Sequence, residues 1–414
     1  MILRYIYSAC VTIENADLRI CCDPWFSQGI YDGSWFQFPE VENPIEKIGL
    51  VDFVFVSHIH PDHYDPRFLR QLLKVNPNCK ILIGVENQTF LKAKMLKDGF
   101  SPCSITSLKV GDTVISVVPN REDSEVNIDS ALVVRDTRFS IVNMNDCQFD
   151  KNQVDMIRDI CGNPPDLACL PYAGAGPYPQ RFRFGSDGDR RRAEMRKREQ
   201  FIELYGLYLK TLQPKWALPF AGLYYLGGSL RPLNDMRGVP DATEVRDRYG
   251  SRTLVLREGV GAFDLATERI YNPRTEPYNA DERDRFLKRF DNELFPYQKE
   301  SRPDVPKLVR MLSTAHLNAV ARVQEQSDRW LCLSIDSSQF LSVHKSRPGE
   351  VRVTASLSGF EPREVIHIDP RLLLGLLERR FHWNNADIGS HWEISRSPEG
   401  YDRRIYNLLN FMHI

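Results

Sequence analysis

Short runs of apolar residues, rich in β-branched and aromatic side chains, recur over residues 1–150 and are separated by polar turns. Runs of this length, either continuous or alternating with polar residues, predict buried and half-buried strands. The predicted strands are ACVTIEN, LRICC, VDFVFV, CKILIG, TVISVV, SALVVR and RFSIVNM, and helices are predicted for PRFLRQLLKVN and near residues 88–97. The pattern therefore predicts a strand-rich α/β layer.

The remainder of the chain changes character twice. Two predicted strands, DLACLPY and KWALPF, flank a charged helix, RRRAEMRKREQFIELYGLYLKTL, whose apolar positions repeat at helical spacing. Residues 226–305 are rich in Gly, Pro, Arg and Asp and predict an irregular linker or lid. A C-terminal α/β module follows over residues 306–414, with a helix (VPKLVRMLSTAHLNAVARVQ), four strands (RWLCLSID, QFLSVHK, EVRVTASL, EVIHID) and two closing helices. The predicted main domain is residues 1–225.

Composition and charge narrow the class of protein. The 414 residues are 42% hydrophobic and 26% charged, and the net charge of −1 gives no general attraction for nucleic acid or an anionic membrane. The start, MILRYIYSACVTIENADLRICC, lacks the apolar core of a signal peptide, and no later run approaches a membrane span. The nine cysteines lie mostly in apolar runs, which is typical of reduced, buried thiols. We therefore expect a cytoplasmic protein with no nucleic-acid partner and no membrane span.

Metal-capable side chains are concentrated directly after the predicted strand VDFVFV, in the stretch SHIHPDHYD. His58 and His60 point to the same side of an extended segment, so one cation can bind both. Pro61 then turns the chain, which lets Asp62 and His63 face a second cation nearby. Residues 58–63, called the histidine loop below, are therefore predicted to bind metal; the alternative is a solvated loop that happens to be rich in histidine.

The stretch DFVFVSHIHPDHYD resembles the signature of the metallo-β-lactamase superfamily. RICCDPWF resembles the first motif of that superfamily, in which Asp23 supports the metal ligands through hydrogen bonds. SIVNMNDC resembles the fourth motif, in which Asp146 bridges two metals. The resemblance implies an αββα sandwich with two divalent metal ions, and catalytic roles for Asp62 and Asp146. An ordinary Asp-Pro turn is the alternative for Asp23.

The chain departs from the superfamily pattern in its histidines. No histidine occurs between His63 and His316, so the third-motif and fifth-motif imidazoles are missing. Glu125 stands where the third-motif ligand is expected, and Ala221 stands near the last position. Oxygen-rich sites prefer iron or manganese to zinc, so iron is favoured here, with manganese and zinc as alternatives. A surface carboxylate is the alternative for Glu125.

The C-terminal module contains further imidazoles. His382 and His391, in RRFHWNNADIGSHWEI, are candidates to complete the metal site. The alternative is that both side chains simply pack within the module.

Longer stretches resemble the lactamase-like part of the CMP-N-acetylneuraminate hydroxylase family, which converts N-acetyl to N-glycolyl sialic acid. They include CCDPWF, PYAGAGPYPQRF, LQPKWALPFAGLYYL and HWNNADIGSHWEISRSPEGYDRRIYNLLNF. The last motif of that family also reads PFAG without a histidine, and the tail resembles a sterol-carrier-protein-like α/β module. The resemblance implies an oxidase or hydroxylase acting on a polar anionic substrate, such as a nucleotide sugar or an N-acylated sugar. Because the hydroxylases carry a Rieske domain, a separate Rieske or ferredoxin-type protein is the implied electron donor.

Two pairs of residues are candidates for binding a small-molecule substrate. Arg181 and Arg183 precede the charged helix, and guanidinium groups bind phosphate or carboxylate through paired hydrogen bonds. The alternative is a solvated charged face. Tyr224 and Tyr225, followed by LGGSLRP, predict a mobile lid, with an ordinary loop of packed tyrosines as the alternative.

Three functions fit these patterns. The first is a di-iron oxidase or hydroxylase. The second is a metal-dependent hydrolase of phosphodiester, lactone or amide bonds, in which a metal-activated hydroxide attacks and Asp62 orients it. The third is a binding or scaffold protein in which a degenerate site holds one structural metal.

Overall fold

The computed structural model describes residues 1–85, 89–120, 128–162, 164–336 and 338–414, without the side chain of Thr89. Its strands are β1 Ile2–Tyr7, β2 Cys10–Glu14, β3 Arg19–Cys22, β4 Trp35–Phe36, β5 Phe53–Phe55, β6 Lys80–Gly84, β7 Cys103–Ile105, β8 Ser107–Val110, β9 Thr113–Pro119, β10 Ser130–Arg135, β11 Ser140–Asn143, β12 Leu167–Pro171, β13 Trp216–Phe220, β14 Tyr225–Leu226, β15 Gly261–Asp264, β16 Arg269–Tyr271, β17 Trp330–Ser334, β18 Phe340–Val343, β19 Arg352–Thr354, β20 Arg363–His367 and β21 Glu393–Ser397.

The α-helices are α1 Ile30–Gly33, α2 Pro44–Ile48, α3 Pro66–Val75, α4 Thr89–Lys97, α5 Lys151–Cys161, α6 Asp187–Leu212, α7 Ala242–Tyr249, α8 Ala280–Leu287, α9 Val305–Arg322, α10 Pro370–Leu377, α11 Trp383–Ile388 and α12 Arg403–Phe411. Short 3-10 helices lie at Gly228–Met236, Lys288–Phe290 and Pro296–Lys299. None of the helices in the described ranges combines the length and the apolar character needed to cross a membrane.

Two large sheets lie within residues 2–271. The first has the strand order β16-β15-β1-β2-β3-β5-β6-β7, and the second has the order β13-β12-β11-β10-β9-β8. β3, β5, β6 and β7 pair in parallel, as do β11, β12 and β13. Parallel strands bring their carboxyl ends to one edge of a sheet, and the histidine loop leaves the first sheet at such an edge, directly after β5.

The two sheets pack face to face around an apolar core. Leu3, Val11 and Phe55 of the first sheet belong to the same buried cluster as Leu132 and Ile141 of the second. Because successive side chains of a strand point to opposite faces, the continuous apolar run of β5 is buried on both sides. Phe55 lies in the core between the sheets, whereas Val54 packs in a second cluster with Phe68, Leu69 and Leu72 of α3.

Helices cover the outer face of the second sheet as well. Val133 and Val142 share a buried cluster with Ile157 of α5 and with Tyr205 and Tyr208 of α6. Helices therefore lie outside both sheets, which confirms the expected αββα sandwich.

The segment 226–305 is more regular than its composition suggests. β15 pairs with β1, with Phe263 opposite Leu3, and β16 continues the first sheet beyond β15. An irregular linker would not extend a sheet in this way. These strands are too short, and β16 too exposed, to produce a clear alternation in the sequence. The division of the chain into three units stays a prediction.

The C-terminal module contains α9 and a sheet with the order β19-β18-β17-β20-β21. β20 is followed by α10, α11, the strand β21 and α12, so the end of the module has more elements than the two helices expected. Leu308, Leu312, Ala315 and Ala319 form one buried face of α9 at helical spacing. The likeness to sterol-carrier proteins stays a prediction.

Candidate metal centre

The histidine loop is held at both of its ends. Val56, directly before Ser57, donates a backbone hydrogen bond to Leu82 of the neighbouring strand at 3.0 Å. Asp65 caps α3 by accepting from the backbone amides of Arg67 and Phe68. The loop is therefore fixed between a buried strand and a capped helix.

The first potential metal-binding group consists of His58, His60 and Asp129, whose ligand atoms all lie within 4.8 Å of one another. Nε2 of His58 lies 2.8 Å from Nδ1 of His60 and 3.5 Å from Oδ1 of Asp129. The same-side orientation expected for His58 and His60 agrees with this arrangement. Asp129 comes from the residues directly before β10 and was not among the residues predicted from the sequence.

The second group consists of His58, His63 and Asp146, again with ligand atoms within 4.8 Å of one another. Nε2 of His63 lies 3.4 Å from Oδ2 of Asp146 and 3.5 Å from Oδ2 of Asp62. Asp146 follows β11 after Asn145, whose positive φ of 50° turns the chain at the strand end. The fold therefore brings His63 of the histidine loop and Asp146 of the fourth motif together beside His58.

Asp23 supports the histidine loop from beneath. Its carboxylate accepts hydrogen bonds from the Ser57 amide at 2.7 Å and the Ser57 hydroxyl at 2.8 Å. It also accepts from Nδ1 of His63 at 3.0 Å, which leaves Nε2 of His63 directed at Asp62 and Asp146. Burial raises the pKa of Asp23, and the hydrogen bonds from His63 and Ser57 oppose that shift.

Two buried polar atoms show that this site suits a cation. Nε2 of His63 and Oδ1 of Asp129 have no hydrogen-bond partner within the described ranges. A buried polar atom left unpaired costs about 1–3 kcal/mol, and a metal ion would satisfy both atoms. Burial lowers the pKa of His58 well below its ordinary value, so the imidazole is in the neutral form that binds metals.

The charged groups of the site change one another's pKa values. Burial and the nearby Asp146 raise the pKa of Asp129 to about 7. Burial alone would lower the pKa of His63, but the neighbouring aspartates, above all Asp146, raise it well above its ordinary value. Closely spaced carboxylates repel one another unless a cation neutralises them, so the electrostatics also favour bound metal.

Tyr31 fixes the remaining carboxylate of the loop. Its hydroxyl donates to Oδ1 of Asp62 at 2.5 Å. Tyr31 is buried, packs against Trp35 with ring centroids 4.5 Å apart and tilted planes, and adopts a φ of 49°. Backbone conformations of this kind cost energy in residues other than glycine and are typical of functional sites.

The C-terminal module contacts the histidine loop through an amide. Nδ2 of Asn384 lies 2.9 Å from Nε2 of His60. His391 lies behind the site, where its Nε2 donates to the backbone oxygen of Tyr31 at 2.8 Å, and His382 caps α11. Neither metal-binding group found among the described residues includes His382 or His391.

Arg181 and Arg183 lie at the junction between the main domain and the C-terminal module. Both pair with the carboxylate of Glu393, at 3.3 Å and 2.8 Å. The backbone of this segment also joins β21, because Arg183 donates to Ile394 and Ile394 donates to Arg181. Their charges are partly neutralised here, and their role in substrate binding stays a prediction.

Tyr224 and Tyr225 are both buried. Tyr224 stacks on Trp35 with ring centroids 3.4 Å apart and nearly parallel planes. The guanidinium of Arg237 lies 4.2 Å from the ring centroid of Tyr224 and 5.3 Å from that of Tyr225. The alternative of packed tyrosines agrees with these contacts, and the lid role stays a prediction.

Two further positions near the site were predicted from the sequence, and three residues of the site were not. Glu125 lies outside the described residues. Ala221 directly follows β13 and has a φ of 58°. Asp129 had a usable signal, because an aspartate directly before a buried strand lies at a sheet edge. Tyr31 and Asn384 had none, since nothing near them in the sequence indicates contact with the histidine loop.

Part of the chain is similar in sequence to a known protein family and to curated proteins. Residues 2–180 match the family model described as beta-lactamase superfamily domain. A protein of Mycolicibacterium smegmatis named as a Rieske 2Fe-2S iron-sulfur protein is 31% identical over 242 residues, which are 55% of this chain and 45% of that protein. The cytidine monophosphate-N-acetylneuraminic acid hydroxylase of Danio rerio is 25% identical over 234 residues, which are 54% of this chain and 38% of the hydroxylase. The chain thus spans less than half the length of these curated relatives.

The solved structures that resemble this one are less similar to it in sequence. An isothiocyanate hydrolase from Delia radicum gut bacteria has a TM-score of 0.43 and 15% identity, covering 64% of this chain and 98% of the hydrolase. CmlA, a diiron β-hydroxylase from Streptomyces venezuelae, has a TM-score of 0.38 and 16% identity, covering 60% of this chain and 52% of CmlA. Residues 2–180, less than half of the chain, thus resemble a beta-lactamase superfamily domain.

Proposed function

We propose that the chain is a metal-dependent enzyme of the oxidase or hydroxylase type that binds two divalent metal ions, iron in preference to manganese or zinc. Its substrate is a polar anionic small molecule, such as a nucleotide sugar or an N-acylated sugar. The observation that carries the proposal is the pair of ligand groups that share His58. His58, His60 and Asp129 hold one ion in this proposal, and His63, Asp146 and Asp62 face the other.

The composition of the two groups supports iron. With His58 assigned to the first ion, that ion has two imidazoles and one carboxylate, and the second ion has the imidazole of His63 with the carboxylates of Asp146 and Asp62. Two histidines and one carboxylate are the ligand set typical of non-haem iron oxygenases, whereas sites rich in imidazole or thiolate suit zinc. When bound, iron supplies the redox chemistry that amino-acid side chains lack.

The residues around the ligands orient them. Tyr31 holds Asp62 through its hydroxyl, and Asp23 fixes the ring of His63. Trp35 donates through its indole nitrogen to the backbone oxygen of Ile388 at 3.3 Å, which fastens the C-terminal module beside the site.

The relatives support the oxidative form of the proposal. Curated proteins with detectable identity include CMP-N-acetylneuraminic acid hydroxylases and Rieske-named proteins. A hydroxylation that uses oxygen needs electrons, so a separate Rieske or ferredoxin-type protein is the proposed partner.

The test is the metal content and the redox requirement of the full chain purified without oxygen. We expect about two iron equivalents per chain, as in a two-metal site. We also expect oxygen consumption that requires a reductant and is stimulated by CMP-activated or N-acylated sugars. The variant Asp146→Asn should lose metal, and Asp155→Asn, on the exposed face of α5, should retain it.

Two outcomes contradict the proposal. Bound zinc, together with cleavage of phosphodiester or ester reporters in the absence of a reductant, indicates the hydrolase alternative. Sub-stoichiometric metal, with folding unchanged by chelation, indicates a protein whose metal is structural or dispensable.

A further inference from the structure

Arg237 carries a buried charge that its neighbours do not neutralise. It follows the 3-10 helix Gly228–Met236, and 6% of its surface is exposed. Its Nε and Nη1 atoms have no hydrogen-bond partner in the described part of the chain. A buried guanidinium with unpaired N–H groups is costly, because it has lost its hydration without gaining equivalent partners.

Four acidic side chains line the same cavity as Arg237, and each is engaged with another arginine; Glu194 pairs with Arg190 at 2.8 Å. Asp241 pairs with Arg274 at 3.0 Å, and Asp235 pairs with Arg283 at 2.8 Å. Glu244 pairs with Arg198. The acidic side chains around Arg237 are thus committed to other arginines.

Aromatic faces and a second buried cation surround Arg237. Its guanidinium lies over Tyr224 and Tyr225, which favours a cation but does not neutralise it. Burial and the charge of Arg237 lower the pKa of Lys197 to about 7. Lys197 is thus a second cation close enough to Arg237 for the two charges to interact.

Arg237 also lines a cavity of about 330 Å³. The other lining residues include Tyr172, Arg198, Tyr225, Asn234 and Arg283. This volume lies at the lower end of the range of small-molecule pockets. The cavity therefore offers space for a small ligand beside Arg237.

We propose that Arg237 is the anion receptor of this cavity and binds the phosphate or carboxylate group of a small-molecule ligand. Nε and Nη1 are the N–H donors of the guanidinium left unpaired, and because they lie on different edges of the group each would donate singly to an anion. Arg181 and Arg183 are less suited to this role, because Glu393 already binds both.

Three aromatic side chains connect Arg237 to the histidine loop. Tyr224 stacks on Trp35, Trp35 contacts Tyr31, and the hydroxyl of Tyr31 donates to Asp62. An anionic group held at Arg237 would therefore anchor a substrate on the side of Tyr224 away from the metal ligands. The claim that the bound ligand is the substrate rests on the proposed function, whereas the claim that Arg237 binds an anion does not.

The test uses the full chain after treatment with a chelator and inorganic phosphate as the probe. Phosphate binding is measured by titration calorimetry and by the melting temperature, with sodium chloride at matched ionic strength as the reference. We expect saturable binding by the unchanged protein. Arg237→Met should bind phosphate at least tenfold more weakly and show no saturable rise in melting temperature. Without phosphate it should be at least as stable as the unchanged protein, because an unpaired buried charge has been removed.

Arg198→Met is the matched control, because Arg198 lines the same cavity but is paired with Glu244. It should keep the phosphate affinity of the unchanged protein. Arg237→Gln provides a second neutral variant if Arg237→Met does not fold. A parallel titration with acetate distinguishes a carboxylate receptor from a phosphate receptor.

Equal phosphate affinity in the unchanged protein and in either neutral Arg237 variant would overturn the proposal. So would the absence of saturable binding of both phosphate and acetate to the unchanged protein. Because metal is removed beforehand, these outcomes are independent of the proposed function. If the protein contains iron but binds no anion, only the proposal for Arg237 is contradicted. If it contains zinc and its anion binding depends on Arg237, only the oxidative function is contradicted.

Discussion

Nδ2 of Asn384, in the C-terminal module, lies 2.9 Å from Nε2 of His60 in the histidine loop. Oδ1 of Asn384 accepts from the hydroxyl of Tyr406 at 3.0 Å, and that hydroxyl lies 2.8 Å from Oδ2 of Asp387. A histidine that binds metal through one ring nitrogen donates through the other. If Nδ1 of His60 binds metal, Nε2 carries the proton and a rotated Asn384 amide accepts it, which fixes the ring.

Asn384→Ala should weaken metal binding about tenfold, the lower end of the range for partners that orient a ligand. The protein should remain folded, because this side chain lies at the edge of the junction and is not fully buried. Competition with a chromophoric chelator measures the affinity. Asn385→Ala, one position along α11 and outside this network, should leave the affinity unchanged; an equal loss in both variants would indicate a general disturbance of the helix.

The Asp129→Asn variant should lose more metal than the Glu125→Gln variant. The physical reason is that Oδ1 of Asp129 is buried, has no hydrogen-bond partner within the described residues and lies 3.5 Å from Nε2 of His58. An amide is a much weaker metal ligand than a carboxylate. Metal analysis after dialysis decides between the two positions, and full retention by Asp129→Asn with loss in Glu125→Gln would reassign the ligand to Glu125.

Asp402 should make stability depend on pH in the acid range. Burial alone would raise its pKa, but hydrogen bonds from Arg404 and Ser327 hold the pKa at about 2. The unfolded value is about 3.9, so the unfolded chain binds the proton first as the pH falls. This contribution is therefore complete above about pH 4 and is lost as the pH falls towards about 2.

Asp402→Ala should lower the free energy of unfolding by about 1 kcal/mol at pH 7, because Asp402 also caps α12. The difference from the unchanged protein should shrink below about pH 4. Urea unfolding at a series of pH values measures it, and Glu399→Ala, at an exposed neighbour, serves as the control. A difference that stays constant down to the lowest accessible pH would assign the whole effect to the cap.

Arg181 and Glu393 should act as one unit in fastening the C-terminal module. Arg181→Gln and Glu393→Gln should each lower the free energy of unfolding, and the double variant should lose less than the sum, with a coupling of about 0.5–1 kcal/mol. Unfolding by urea measures the cycle. Additive losses, together with an anion affinity that falls in Arg181→Gln, would instead support the substrate-binding role of Arg181.

The residues that the sequence identified best are those close together along the chain. The apolar run of β5 predicts a buried strand, and the spacing of His58, His60 and His63 directly after it predicts ligands at the strand end. Both depend on local periodicity, which a sequence displays directly. The strand-rich α/β layer was likewise predicted, because its main strands are long enough to show their pattern, whereas the two-sheet sandwich was implied by the resemblance to the metallo-β-lactamase superfamily.

Short elements and exposed edges escaped prediction. β15 and β16 join the first sheet through pairing with β1, which lies more than 200 residues earlier in the chain. Such pairing depends on backbone hydrogen bonds between distant segments, to which side-chain patterns contribute little. The same limit explains why the segment 226–305 was expected to be irregular.

The sequence by itself determined the histidine loop, its position after a buried strand and the shortage of imidazole elsewhere in the main domain. The tertiary structure decided which side chains complete the surroundings of that loop: Asp129 beside His58, Tyr31 on Asp62, Asn384 on His60 and the unpaired charge of Arg237 near Tyr224. These contacts join residues that are far apart in the chain. They arise from the packing of two sheets and a C-terminal module against one another, and no local pattern encodes the distance between such side chains.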